Sequence, residues 1–147
     1  MWRPKQGIRG AAIGIVKHKG CLLVCEVLGD NGDVKGWRAL GGGIEFGEPA
    51  AEALKREFKE ELGCEIQITG SPMISENIYE HHGHTGHEII FAFPIELKNP
   101  EIYETKRFQI FEHEGTSHWA EWVAIERFKT REQILFPPAL ADKILSS

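Results

Sequence analysis

The chain predicts a mixed α/β or α+β fold, with helices packed on a β-sheet. Three observations predict it. A single amphipathic helix pattern sits in mid-chain, strand-like runs of Ile, Val and Leu lie on both sides of it, and 147 residues suit one core. The whole chain, residues 1–147, is therefore expected to form one domain.

The elements follow in order. Ile8 to Val16 is rich in Ile, Val, Ala and Gly and reads as a strand. Lys17-His18-Lys19-Gly20 turns the chain into a second strand, Cys21 to Val27, paired with the first as a hairpin. A loop rich in Gly and Asp follows, then a short strand from Trp37 to Leu40. Gly41, Gly42, Gly43 and Gly47 punctuate the entry to the helix. Pro49 can open that helix, Glu48 and Glu52 suit its positive end, and Gly63 is a natural stop after Leu62. Glu65 to Ile74 mixes strand and turn, and His81 to His87 reads as a polar loop. Glu88 to Leu97 reads as a strand, at an edge or bulge because of Pro94. Glu112 to Ser117 is a loop, and His118 to Ala124 a strand. Two short helices close the chain, near Arg127 to Ile134 and Pro138 to Leu145.

Composition excludes several classes. The net charge is −5, so a basic nucleic-acid-binding surface is not expected. Three cysteines, Cys21, Cys25 and Cys64, make no disulfide framework and read as small buried residues. The N-terminus lacks the apolar core of a signal peptide, and no run reaches the ~20 apolar residues of a membrane helix. The expected setting is cytoplasmic, away from membranes.

On the central helix, Ala51, Leu54, Phe58 and Leu62 form a core-facing stripe. Glu57, Glu60 and Glu61 stand at i, i+3 and i+4, so their carboxylates leave one neighbouring face. Taken alone, such a cluster is a solvated acidic face. A hard divalent cation would turn the mutual repulsion into a ligand set. The surroundings decide between the two. Gly42 is followed after five residues by Glu48, after seven more by Arg56-Glu57-Phe58, then Lys59, Glu60-Glu61, Leu62 and Gly63-Cys64. This pattern, residues 42–64, resembles the Nudix box. A chance match at one window is on the order of 10⁻⁸ at ordinary residue frequencies. Cys64 stands where a larger aliphatic residue is usual, and packs as a small hydrophobe. The N-terminal hairpin, the late Glu121-Trp122 strand and Phe136-Pro137-Pro138-Ala139 look like the MutT-type branch.

The resemblance implies an α/β/α sandwich with a mixed sheet and a loop–helix–loop motif. It implies that Glu57, Glu60, Glu61 and the Gly42 carbonyl bind Mg²⁺, with Mn²⁺ as the alternative ion. Glu48 and Arg56 would hold the loop and orient Glu57. The reaction implied is hydrolysis of a pyrophosphate bond in a nucleoside triphosphate or a nucleoside diphosphate linked to another group, releasing a nucleoside monophosphate. The general base varies in the family. Glu112, Glu114 and Glu121 are candidates, and Glu114 is preferred although its spacing to the Trp122 strand differs by two residues. Leu140 stands where enzymes for oxidised guanine nucleotides carry a base-reading Asn, which argues against that specificity. Trp37 and Phe46 are candidates for contacting the substrate, and Tyr79 lies near a tyrosine of diadenosine polyphosphate enzymes. His81, His82, His84 and His87 allow a zinc site, a substrate-facing loop or a plain surface loop. The expected partner is a small nucleotide, with no nucleic-acid polymer and with a homodimer as the assembly to test. A catalytically silent nucleotide-sensing module on the same fold is the competing reading. Such modules lose box carboxylates, and this chain keeps them all.

Overall fold

The computed structural model describes residues 6–111 and 117–147. Its strands are β1 (Ile8–Ile15), β2 (Lys17–His18), β3 (Cys21–Leu28), β4 (Val34–Gly43), β5 (Ile66–Ile68), β6 (Met73–His81), β7 (His84–Leu97), β8 (Arg107–Phe111), β9 (Ser117–Ala124) and β10 (Leu135–Phe136). The helices are α1 (Ala50–Leu62), α2 (Pro100–Glu104), α3 (Ile125–Lys129) and α4 (Pro138–Ser146). Among the described residues the strands form one mixed sheet in the order β5-β7-β1-β4-β3-β9-β8. β6 lies beside β7, β2 beside β3 and β10 beside β4. β1 runs parallel to β7, and β10 parallel to β4; the other pairs are antiparallel.

The sheet buries both faces. In β3, Leu23 and Cys25 join one core with Leu54 and Phe58 of α1, while Leu22 and Val24 join a second core with Phe128 of α3 and Leu140 of α4. This two-sided burial explains why β3 reads as a continuous apolar run rather than an alternation. α2 closes over the α1 face: Ile102 is buried there and its carbonyl accepts a hydrogen bond from the Trp122 indole at 3.1 Å.

β4 changes partner along its length. Val34 to Ala39 pair with β3, whereas Leu40 to Gly43 pair with β1. Gly41 sits at that change with φ +150°, and a Cβ there would lie 2.0 Å from the Ala12 carbonyl oxygen. The close approach of the two strands therefore requires glycine.

Several boundaries differ from the sequence reading. Pro49 is the N-cap of α1, and helical residues start at Ala50. The His81–His87 segment is not a loop. It is the tip of a β6–β7 hairpin in which His81 faces His84 and Ile78 faces His87. Pro94 does not mark an edge strand, because β7 is paired on both sides. On one side, pairing with β6 ends at Ala92 and pairing with β5 begins at Ile95. Pro94 falls in that hand-over, where the missing N–H is not needed by either strand. The first two long strands are not a hairpin: β1 lies between β7 and β4, and β3 pairs with β2, β4 and β9, because β4 inserts between them. β2, β6, α2, β8 and β10 are additional elements, and α3 is shorter than the reading of Arg127 to Ile134. No helix among the described residues is long and apolar enough to cross a membrane.

Candidate active site

The loop between β4 and α1 is tied to the helix by one arginine. The Arg56 guanidinium donates from Nε to Glu48 Oε2 at 2.8 Å and from Nη2 to Glu48 Oε1 at 2.9 Å. This two-bond fork is the strongest geometry available to an Arg–carboxylate pair. Nη2 also donates to the Gly43 carbonyl at 3.0 Å, and Nη1 to Glu57 Oε1 at 3.0 Å and Glu60 Oε2 at 3.4 Å. Glu48 Oε1 in turn accepts from the Glu45 N–H at 3.1 Å. The Arg56 and Glu45 hydrogen bonds hold the Glu48 carboxyl down to about 2. The bonds to Glu48, foremost, and to Glu57 push the Arg56 pKa up, against the opposing effect of burial.

Helical spacing sets the carboxylates. Glu57 and Glu61, one turn apart, are 7% and 8% exposed, and Glu60 is more open. Glu57 packs against a bare stretch of β4: a Cβ on Gly42 would lie 2.5–2.7 Å from its carboxyl atoms. The glycine therefore makes the space that the carboxylate fills. Among the described residues, no three His, Cys, Asp or Glu side chains stand gathered as a ready cation shell. The donor chemistry nonetheless fits a hard divalent ion. Three carboxylates, Glu48, Glu57 and Glu60, engage one guanidinium, and the Glu61 side chain lies buried one turn from Glu57. Carboxylate and backbone-carbonyl oxygens, here on one helix face and the glycine strand before it, are the ligand types a hard divalent ion prefers.

The other expected site residues are spread. Phe46 is fully exposed at the tip of the β4–α1 loop. Trp37 is in the second core, 8% exposed, with its indole N–H donated to Gln133 at 2.7 Å. That burial corrects the expectation that it contacts the substrate: it is already packed among core side chains. Tyr79 is half-buried on β6, above Gly86, where a Cβ would come within 2.4–2.7 Å of its ring and hydroxyl. Burial and the Glu88 carboxylate push its pKa up to about 12, while Arg9 and Arg38 pull the other way. Glu121 lies on β9 between Ala120 and Trp122, which face α1, so it points to the opposite side and pairs with Arg107 at 3.7 Å. Glu112 and Glu114 lie outside the described residues. The His81 and His82 rings lie 3.9 Å apart, but among the described residues no three such side chains gather as a metal shell: His82 pairs with Asp30, His87 with Glu76 at 2.9 Å, and His84 is exposed.

One charged pair near the glycine stretch was not singled out in the sequence. Arg9 Nη1 donates to Glu88 Oε2 at 2.9 Å across the parallel β1–β7 pair. No local pattern links residues so far apart, and only the sheet register brings them side by side.

A mixed two-sided sheet with an arginine-braced, carboxylate-bearing helix behind a glycine loop defines the class of this protein. Residues 8–141 match the NUDIX domain family model, and the chain belongs to that family. Among curated relatives, it is 45% identical over 56 residues to the nucleoside triphosphatase NudI of Enterobacter sp. strain 638. It is 41% identical over 56 residues to a NudI of Escherichia coli. These matches span 37% of this chain and 40% of the relatives' length. Among solved structures, a NUDIX hydrolase from Nitrosomonas europaea superposes with a TM-score of 0.61 at 17% identity, covering 95% of this chain and 87% of that one. A mutator MutT protein from Bacillus halodurans gives 0.59 at 21% identity, covering 95% and 83%. At such identities the likeness speaks for the fold.

Proposed function

We propose that the chain is a Mg²⁺-dependent pyrophosphohydrolase acting on nucleoside triphosphates or related nucleoside diphosphate derivatives, with a nucleoside monophosphate as product. The observation that carries this reading is the Arg56 hub. It ties the box loop, through Glu48 and Gly43, to the helix face bearing Glu57, Glu60 and Glu61.

On this reading Glu57, Glu60, Glu61 and the Gly42 carbonyl hold the ion. Mn²⁺ is the alternative to Mg²⁺. When bound, the ion offsets the charge of the pyrophosphate oxygens and acidifies an attacking water. The chain's own residues prepare that site. Glu48 stays ionised down to low pH and fixes the Arg56 fork. Arg56 holds Glu57 against Gly42, so that carboxylate is oriented before substrate arrives. Phe46 meets the substrate at the loop tip, and Glu114 remains the candidate for moving the water's proton. The curated relatives are named nucleoside triphosphatases, so triphosphates head the substrate panel. Three free cysteines suit a reducing cytoplasm. A homodimer is tested by the mass in solution.

The test is product analysis on nucleoside triphosphates, nucleotide sugars, ADP-ribose and dinucleoside polyphosphates, with Mg²⁺, with chelator, and with Glu57→Gln. The expected result is turnover that chelator abolishes and Glu57→Gln lowers by about 10²–10⁴-fold. Nucleotide binding without turnover on any substrate would replace the reading with a sensing module.

A further inference from the structure

Resting on the reading above, we propose that Arg9 is a substrate-binding residue, held in place by Glu88 and flanked by Tyr79, which receives oxygen acceptors of the nucleotide on the sheet face opposite the α1 carboxylates. Glu88 is then a positioning residue that acts through Arg9.

The argument begins with β4. Gly42 and Gly43 are consecutive, so they face opposite sides of the sheet. A Cβ on Gly42 would meet the Glu57 carboxyl group, and a Cβ on Gly43 would meet Arg9, at 3.3 Å from Nε and 3.4 Å from Nη2. The face of Arg9 is also fixed by its own strand. Gly10, Ala12 and Gly14 face Ile44 and the α1 core, while Ala11 and Ile15 face the second core, so Arg9 points with the latter. The carboxylates and the guanidinium therefore stand back to back across one strand. That strand carries no side chains from Gly41 to Gly43. β1 pairs with this strip on one side, while pairing with β3 on the other ends at Ala39, so a nucleotide whose pyrophosphate sits over Gly42 reaches Arg9 round the β3 side of the strip.

The pair is built to present a guanidinium. The Glu88 side chain is 14% exposed and that of Arg9 46%. A covered carboxylate thus anchors a cation that is itself about half exposed. As a purely structural contact such an ion pair contributes little. Tyr79 lies next to it, pressed flat on the sheet by the absence of a side chain at Gly86. Its phenol stays protonated at neutral pH, and the register puts it on the same sheet face as Arg9, one pair along β7, so it offers a second donor there. Two donors side by side select an acceptor-rich group. A phosphate oxygen and a base carbonyl share that chemistry.

The experiment uses the full chain with Mg²⁺ and the triphosphate it turns over best. The variants are Arg9→Met, Arg9→Lys and Glu88→Gln, each checked by thermal melting. Arg9→Met is expected to raise KM by about 10–100-fold with kcat changed less than about threefold, the loss expected for hydrogen bonds from a charged donor. Arg9→Lys restores only part of the effect, because lysine keeps the charge and lacks the fork. Glu88→Gln raises KM less than Arg9→Met, since the guanidinium stays but loses its anchor. A purely structural pair would lower the melting point and leave KM alone. Inhibition by inorganic tripolyphosphate separates the two acceptors. If Arg9→Met weakens that inhibition as much as it raises KM, the acceptor is phosphate. If inhibition is unchanged while KM rises, it is a base carbonyl. An unchanged KM in folded Arg9→Met and Glu88→Gln overturns the inference and leaves the hydrolase reading standing. If the wild type binds nucleotide without turnover, the hydrolase reading fails, and the same variants are read by the dissociation constant. An unchanged constant then removes Arg9 as well. Absence of any nucleotide binding removes both.

Discussion

Glu48 and Arg56 show how much one side-chain pair can organise. Glu48 accepts two bonds from Arg56 and one from the Glu45 backbone, and these favour its charged form. The carboxyl is held at about 2, below the ordinary 4.5. A depressed carboxyl contributes stability that is fully present above the unfolded pKa and is lost as pH falls through the folded one. The window for this pair therefore runs from about 4.5 down to about 2. Glu48→Gln should be less stable than wild type near neutral pH, with the gap closing across that window in urea titrations at stepped pH. A gap independent of pH would show that the charge of Glu48 plays no part. Tyr79 works in the opposite sense. Its phenol is raised to about 12, so the stability linked to its neutral form is present below the ordinary value of 10 and is lost as pH climbs through the folded one. The pairings of Arg56 with Glu57 and Glu60 could be read from the box, because they lie within a turn or so of one another. Those of Arg9 and Tyr79 could not, since their partners arrive from other strands through sheet register.

At the scale of elements, α1 and the strands beneath it meet through glycines whose missing side chains serve different ends. A Cβ at Gly14 would lie 2.6 Å from Ile95 Cδ1 and 2.9 Å from Phe58 Cε1, inside the core. The three atoms nearest a Cβ at Gly42 all belong to the end of the Glu57 side chain, which can swing. Gly14→Ala should thus overpack the core and cost about 1–3 kcal/mol. For a chain of this size that lowers the melting point by several degrees. Gly42→Ala should melt within a few degrees of wild type yet lose most turnover, because Glu57 is displaced from its orientation. The reverse ordering, with Gly42→Ala the less stable and still active, would break this assignment. The helix was legible in the sequence, since its apolar stripe, its proline entry and its Gly63 stop are all local signals. In the structure Gly63 takes φ +62° and its N–H reaches the Lys59 carbonyl. The β6–β7 hairpin was less legible. Its strands continue through polar residues, so the His-rich stretch reads as loop although Glu80 pairs with Thr85 and His81 with His84. β8 escaped notice for a related reason: Arg107 to Phe111 alternate on an outer strand, with only Ile110 fully buried.

For the molecule as a whole, the sheet is the shared wall of two cores, and β3 belongs to both. Leu22 and Leu23 are adjacent in the chain and fully buried, yet Leu22 packs with Val123, Phe128 and Leu140, whereas Leu23 packs with Leu54, Phe58 and Ala120. The α1 face carries the carboxylates and the other carries α3 and α4. If residues 1–147 fold as one domain, neither core can be lost alone, because losing either removes one side of β3. Leu22→Ala and Leu23→Ala should then each cost about 2–5 kcal/mol. Both should lower one common transition, with circular dichroism and tryptophan fluorescence giving the same midpoint. The tryptophans make the test discriminating, since Trp37 packs in the core of Leu22 and Trp122 against the core of Leu23. Coincident curves in both variants mean that damage on the α3–α4 side is felt by the braced helix across the sheet. An earlier loss of fluorescence in Leu22→Ala, with helix signal retained to higher temperature, would show that the two faces melt separately. The one-domain reading would then give way to two weakly coupled layers.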